Sequence, residues 1–189
     1  EVQQHFFEPR AAEQLFDIEV DPYETKNLAN DPTYGHKVAE LRGLLTDWVK
    51  GMPDLSFYPE SELAKEAFQN PVAFGQKNKT EIAELVDISN LSLLPFDEAS
   101  LEIKKALDSD NPMKRYWGLI VCSSFGTAAE DFYKDAKMLT QDQNLLVRTR
   151  AAEFLALTRQ QDPKQVVSEA LTTTGDGMEA LLMLNTAVL

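Results

Sequence analysis

Asp17, Glu19 and Asp21 alternate along the chain and are followed by Glu24, a pattern that could offer carboxylate oxygens to calcium. An EF-hand loop needs glycine at its sixth position and glutamate at its twelfth. Counted from Asp17, those places hold Pro22 and Leu28, so the segment reads as solvated carboxylates entering a turn. The single cysteine stands in Cys122-Ser123-Ser124-Phe125-Gly126. A nucleophile elbow around Ser124 would need glycine where Cys122 stands. Cys122 falls on an apolar helical stripe and reads as a small core hydrophobe. His5 and His36 are the only histidines, each without a Cys or His at ligand spacing, which argues against zinc. Tyr116 and Trp117 read as core aromatics rather than a sugar platform. Asn78-Lys79-Thr80 and Asn90-Leu91-Ser92 match the glycosylation sequon, which a chain of this length often carries by chance.

The elements that must position these groups change character along the chain. Leu15, Phe16, Ile18 and Val20 form a short apolar and β-branched run, read as a half-buried edge strand over 14–20, with a further strand over 2–7. Asp21-Pro22 ends the run, because proline gives no amide to a sheet ladder. Asp31 then reads as the N-cap of a helix over 32–50, with Pro32 at its first position. Val38, Leu41, Leu44, Leu45 and Trp48 recur at helical spacing, and Gly51 is expected as a left-handed cap. Pro53, Pro59 and a capping-box-like Ser61 punctuate the following stretch. A helix is expected over 60–69, stopped by Asn70-Pro71.

From about residue 80 helical periodicity dominates, and the sequence repeats. Asp110-Asn111-Pro112-Met113-Lys114-Arg115-Tyr116-Trp117-Gly118-Leu119 aligns with Gln143-Asn144-Leu145-Leu146-Val147-Arg148-Thr149-Arg150-Ala151-Ala152, an offset of 33 residues. Asn111 and Asn144 are expected to cap helices, and Gly118 and Ala151 to let neighbouring helices approach. Met178, Leu181, Leu182, Leu184 and Leu189 point to a third helical unit, cut short.

Composition bounds the function. With 189 residues, 43% hydrophobic and 26% charged, the chain can bury a core as one domain or two small ones. A net charge of −13 argues against nucleic acid as a partner and against this segment alone gripping polyanionic sulfated glycans. No stretch approaches the roughly 20 apolar residues of a membrane span. One cysteine excludes an internal disulfide and leaves the redox compartment open. The chain opens Glu-Val-Gln-Gln-His, without initiator methionine or signal peptide, and is read as a fragment or processed product.

The run Glu13-Gln14-Leu15-Phe16-Asp17-Ile18-Glu19-Val20-Asp21-Pro22-Tyr23-Glu24-Thr25-Lys26-Asn27-Leu28-Ala29 resembles a passage near the carboxyl end of sulfatases, the formylglycine-dependent sulfuric-ester hydrolases of the alkaline-phosphatase-like superfamily. There the segment reads approximately E-x-L-Y-D-L, two or three residues, then D-P-x-E-x-x-N-L-A. Met52-Pro53-Asp54-Leu55-Ser56-Phe57-Tyr58-Pro59-Glu60-Ser61-Glu62-Leu63 is similar to a passage of sulfatases that carry an extra carboxyl-terminal helical region. The repeated blocks resemble the HEAT signature D-x-x-P-x-V-R-x-x-A, in which paired helices stack into a solenoid. In such repeats Arg115 and Arg148 would bond carboxylates and helix ends of the adjoining repeat.

The resemblance implies a mainly α chain: a small α+β sulfatase carboxyl-terminal subdomain over 1–58, a linker with a short helix over 59–80, and HEAT-like repeats over 81–189. It implies a parent that hydrolyses sulfate esters or sulfamates on glycans with formylglycine and calcium, in a periplasmic or extracellular setting. The partners implied are the parent's own amino-terminal catalytic domain and, through it, a sulfated substrate. Formylglycine forms from cysteine or serine in a C/S-x-P-S-R motif, and the Cys122 segment lacks both the proline and the arginine. His5 is a candidate for bordering the parent's cleft. No catalytic, cofactor-binding or metal-binding residue is assigned within this chain. The alternative reading is a stand-alone HEAT-like module that binds a protein.

Overall fold

The computed structural model describes residues 10–187, so the strand expected over 2–7, His5 and Leu189 lie outside the described residues. The chain is mainly α-helical and divides into two compact units, 1–48 and 49–189.

The first unit contains no strand among its described residues. The strand expected over 14–20 is replaced by irregular backbone and turns. An isolated strand leaves its amides and carbonyls unpaired, and no second described strand lies alongside to accept them. The Asn27 side chain supplies the missing partners. Its Oδ1 accepts from Leu15 N at 2.9 Å and Ala29 N at 3.0 Å, and its Nδ2 donates to the Glu13 carbonyl at 3.0 Å. Leu28 N donates to the Leu15 carbonyl at 2.8 Å, and the Leu28 side chain is buried. Asp31 accepts from Thr33 N at 2.9 Å, capping a 3-10 turn, Pro32–Tyr34, that leads into helix α1, Gly35–Gly51. Gly51 ends α1 without a left-handed φ; among the described residues positive φ occurs at Glu24, Gly126 and Arg159. The α1 stripe expected to face a core is open instead, with Leu41, Leu44, Leu45 and Trp48 all exposed.

The second unit holds nine further helices among the described residues: α2 Glu60–Glu66, α3 Pro71–Lys77, α4 Lys79–Asn90, α5 Phe96–Leu107, α6 Pro112–Phe125, α7 Tyr133–Leu139, α8 Leu145–Leu157, α9 Lys164–Thr173 and α10 Gly177–Ala187. Ser61 does not cap α2. The Pro59 carbonyl already accepts from Glu62 N and Leu63 N, so the helix starts earlier and Ser61 sits buried inside it. Helix α2 ends at Glu66, short of the expected 69, with Ala67 N donating to the Leu63 carbonyl, and Asn70-Pro71 starts α3 instead, Asn70 Oδ1 accepting from Ala73 N at 3.0 Å.

The 33-residue repeat has the same local geometry in both copies. Asn111 Oδ1 accepts from Met113 N at 2.8 Å and Lys114 N at 3.4 Å, and Asn144 Oδ1 from Leu146 N at 3.0 Å and Val147 N at 3.1 Å. Helix α6 packs on α4, α5 and α8, and α8 packs on α7, α9 and α10. Leu119, Val121, Cys122, Val147, Phe154, Leu155 and Met183 form the buried centre. Gly118 is the point of close approach: a β-carbon there would meet Leu107 Cδ2 at 3.0 Å and Ala106 Cβ at 3.2 Å. Tyr58, Ile82, Leu85 and Met113 make a second core cluster, with Phe57, Leu63, Phe74 and Trp117 packed against it.

Gly118→Leu should lower unfolding free energy by about 3 kcal/mol in urea titrations, the upper end of ordinary overpacking. An unchanged midpoint would show that α5 and α6 do not pack as closely as described.

Candidate functional site

Two polar centres organise the chain, each built around residues singled out by the sequence and completed by partners that carried no sequence signal, Arg42 in the first and Ser109 and Asp142 in the second. In the first unit, Asp17 Oδ1 accepts from Glu19 N at 3.1 Å and Val20 N at 3.4 Å. Asp21 accepts from Thr25 N at 2.7 Å, Lys26 N at 2.8 Å and the Thr25 hydroxyl at 3.0 Å. The Lys26 amide, then Thr25, holds the Asp21 carboxyl below its usual range. Glu24 accommodates the turn at a φ of +54°. These carboxylates therefore spend their lone pairs on the chain's own amides. Glu13 accepts a two-pronged bond from Arg42, at 2.7 Å from Nε and 2.5 Å from Nη2.

The second centre joins the two repeats. Arg115 Nε and Nη2 donate to the two Asp142 carboxylate oxygens at 2.8 and 2.9 Å, while Nη1 donates to the Ser109 carbonyl at 2.7 Å. Asp142 Oδ1 also accepts from Asn144 N at 2.8 Å, and Arg148 Nε donates to the Asp142 carbonyl. Arg115 thus bonds the carboxylate in the loop that starts the second copy, the role expected from its repeat position, whereas Arg148 bonds the loop before its own helix rather than an adjoining copy. Tyr116 is buried; its hydroxyl accepts from Arg150 Nη2 at 2.9 Å, and the guanidinium lies 5.1 Å from its ring centre. Trp117 donates from Nε1 to the Phe57 carbonyl at 2.8 Å and packs on the Phe57 ring.

Cys122 is fully buried, and burial pushes its thiol up to about 12, so at neutral pH it holds its proton and is not a nucleophile. It cannot be the precursor of a formylglycine on its flanking residues, nor does the surrounding core admit substrate. Among the described residues no group of three or more His, Cys, Asp or Glu side chains could hold a metal ion. Among the described residues, then, neither a formylglycine motif around Cys122 nor a carboxylate cluster for calcium is present. His36 is exposed on α1. Asn78 sits between α3 and α4 and donates from Nδ2 to the Phe74 carbonyl at 3.0 Å, and Ser92 of the second sequon donates to the Ser89 carbonyl at 2.8 Å. No helix among the described residues is long and apolar enough to cross a membrane.

The chain is 46% identical over 63 residues to an ulvan-active sulfatase of Formosa agariphila. The matched stretch is 33% of this chain and 11% of that protein, so the chain spans about a tenth of the relative it matches. No protein-family profile and no solved structure matches the chain. The similarity relates part of the chain to a sulfatase.

Two outcomes test these centres. Asp142→Ala should cost about 3 kcal/mol, because it strands a mostly buried guanidinium, whereas the double change Arg115→Met with Asp142→Leu should cost less. Equal losses in urea unfolding would show that packing, not the ion pair, dominates there. Arg42 hydrogen bonds hold Glu13 below its ordinary value of 4.5. A depressed folded-state value gives stability that is present above the ordinary value and lost as pH falls through the depressed one. The difference in first-unit stability between the chain and Glu13→Gln, followed by the Leu15 and Leu28 amide signals, should be constant above about pH 5 and shrink below it. A difference that stays level down to pH 3 would contradict the assignment of Arg42 as the cause.

Proposed function

We propose that this chain is the carboxyl-terminal, non-catalytic part of a sulfatase-like hydrolase. Its first unit belongs to the small α+β subdomain that closes such enzymes, and its second is a HEAT-like helical array. The parent hydrolyses sulfate esters or sulfamates on glycans, outside the cytoplasm, with formylglycine and calcium held in its amino-terminal portion. The relative's name gives ulvan as the material it acts on, and a sulfated glycan of that kind is the substrate class proposed for the parent.

The observation that carries this reading is the 63-residue stretch at 46% identity to a sulfatase. Two features support it. The Glu13–Ala29 run, which resembles the sulfatase passage, engages polar side chains with its own backbone, as a structural motif would. The α1 stripe of Leu41, Leu44, Leu45 and Trp48 is exposed, and apolar residues at helical spacing are ordinarily covered. The catalytic domain of the parent is the partner proposed to cover it.

The pure chain should show no turnover of an aryl sulfate, with or without calcium; turnover would refute the non-catalytic assignment. Leu44→Lys separates covered from open surface. In this chain it should change stability by no more than about 0.5 kcal/mol, as surface substitutions do. In the parent it should cost about 2–5 kcal/mol, as burying an unpaired charge does. Equal small effects in both would remove the catalytic domain as the stripe's partner.

A further inference from the structure

A cleft of about 240 Å³ opens in the second unit, and its lining includes Tyr58, Phe74, Met113 and the side chains of Glu62, Glu66 and Glu81. These residues come from the 52–63 passage, α2, α3, α4 and α6, so no single motif contains them. Tyr58 is 9% exposed, and its hydroxyl oxygen is buried with no hydrogen-bond partner. A buried hydroxyl left without a well-formed hydrogen bond is destabilising, and a ligand can relieve that. Burial, then the Glu81 carboxylate beside the hydroxyl, pushes the Tyr58 pKa well above the usual tyrosine value, so the group stays a neutral O–H whose proton is drawn toward Glu81 and whose lone pairs remain to accept. Its ring meets Phe74 edge to face, with centroids 5.3 Å apart, and the pair forms an aromatic wall.

The charge of the cleft is negative. Among the described residues Glu66 and Glu81 have no ion-pair partner, while Glu62 lies 3.7 Å from Lys65, which is also 3.4 Å from Asp176. Two helix amino termini reach the lining through Asn111 and Asn144. Each contributes roughly half a positive charge, and both are already capped, so two free carboxylates outweigh them. The carboxylates do not converge as a metal site. Spaced carboxylates around an aromatic pair suit a larger, weakly hydrated cation with carbon attached.

We propose that this cleft binds an alkylammonium group, with Glu66 and Glu81 as counter-ions, the Tyr58 and Phe74 rings against its carbons, and the Tyr58 hydroxyl accepting an ammonium N–H. The same chemistry is found on a free small amine and on a lysine side chain.

The test is an amide NMR titration of the full chain with n-butylammonium, with Nα-acetyl-lysine amide, and with n-butanol as the uncharged analogue. Saturable shifts at Tyr58, Phe74, Glu81 and Met113 are expected with an ammonium probe and not with butanol. Tighter binding of acetyl-lysine amide identifies a lysine side chain as the occupant, and tighter binding of butylammonium a free amine. Glu81→Gln should weaken binding about two- to fivefold, the range of a partly exposed ion pair. Tyr58→Phe should weaken binding, because it removes the accepting hydroxyl and leaves the aromatic wall in place. Absence of saturable shifts, equal shifts with butanol, or undiminished binding by Glu81→Gln would overturn the proposal.

Discussion

Backbone amides and carbonyls taken out of water must be paired, and outside its helices this chain pairs many of them with side chains. Asn27 does so for the first unit, bridging Glu13, Leu15 and Ala29 through one carboxamide. Asn111, Asn144 and Asp142 do so for the second, fixing where α6 and α8 begin and how the loop before α8 is held. The side-chain oxygens of these residues accept from the chain's own amides, and residues so engaged position the chain.

The ion pairs differ widely in weight. Lys37–Glu40 and Lys105–Glu102 are exposed pairs within single helices, where solvent screens the attraction and little stability is gained. Arg115–Asp142 has side chains 15% and 7% exposed, makes two parallel bonds and has further hydrogen bonds at both ends. Its loss would leave a desolvated charge, so it defines the register between successive repeats far more than the surface pairs do. Close approach at Gly118 and the core around Leu119, Phe154 and Met183 then supply most of the apolar burial.

Much of the helical part was legible in the sequence because its signals are local. An asparagine before a periodic apolar run marks a helix start wherever it occurs, and the 33-residue offset placed Asn111 and Asn144 in equivalent roles. The strand over 14–20 was misread because a strand exists only with a partner, and apolar alternation cannot show whether one is present. Ser61 and Gly51 were misread for a related reason: Pro59 started α2 earlier, and α1 runs through Gly51 without reversing φ. The cleft at Tyr58 had no sequence signal. Its carboxylates and rings are separated along the chain and are brought together by the 52–63 passage, α2, α3, α4 and α6. The buried unpaired hydroxyl that marks it is visible only in three dimensions.

On the proposed function, sulfate chemistry belongs to polypeptide that precedes this chain, and these residues are structural. The most direct measurement is the reading frame upstream of Glu1, determined by sequencing the gene. The account predicts several hundred residues containing a C/S-x-P-S-R motif in frame. A stop codon, or a start codon immediately before Glu1, would contradict it and favour a stand-alone helical interaction module.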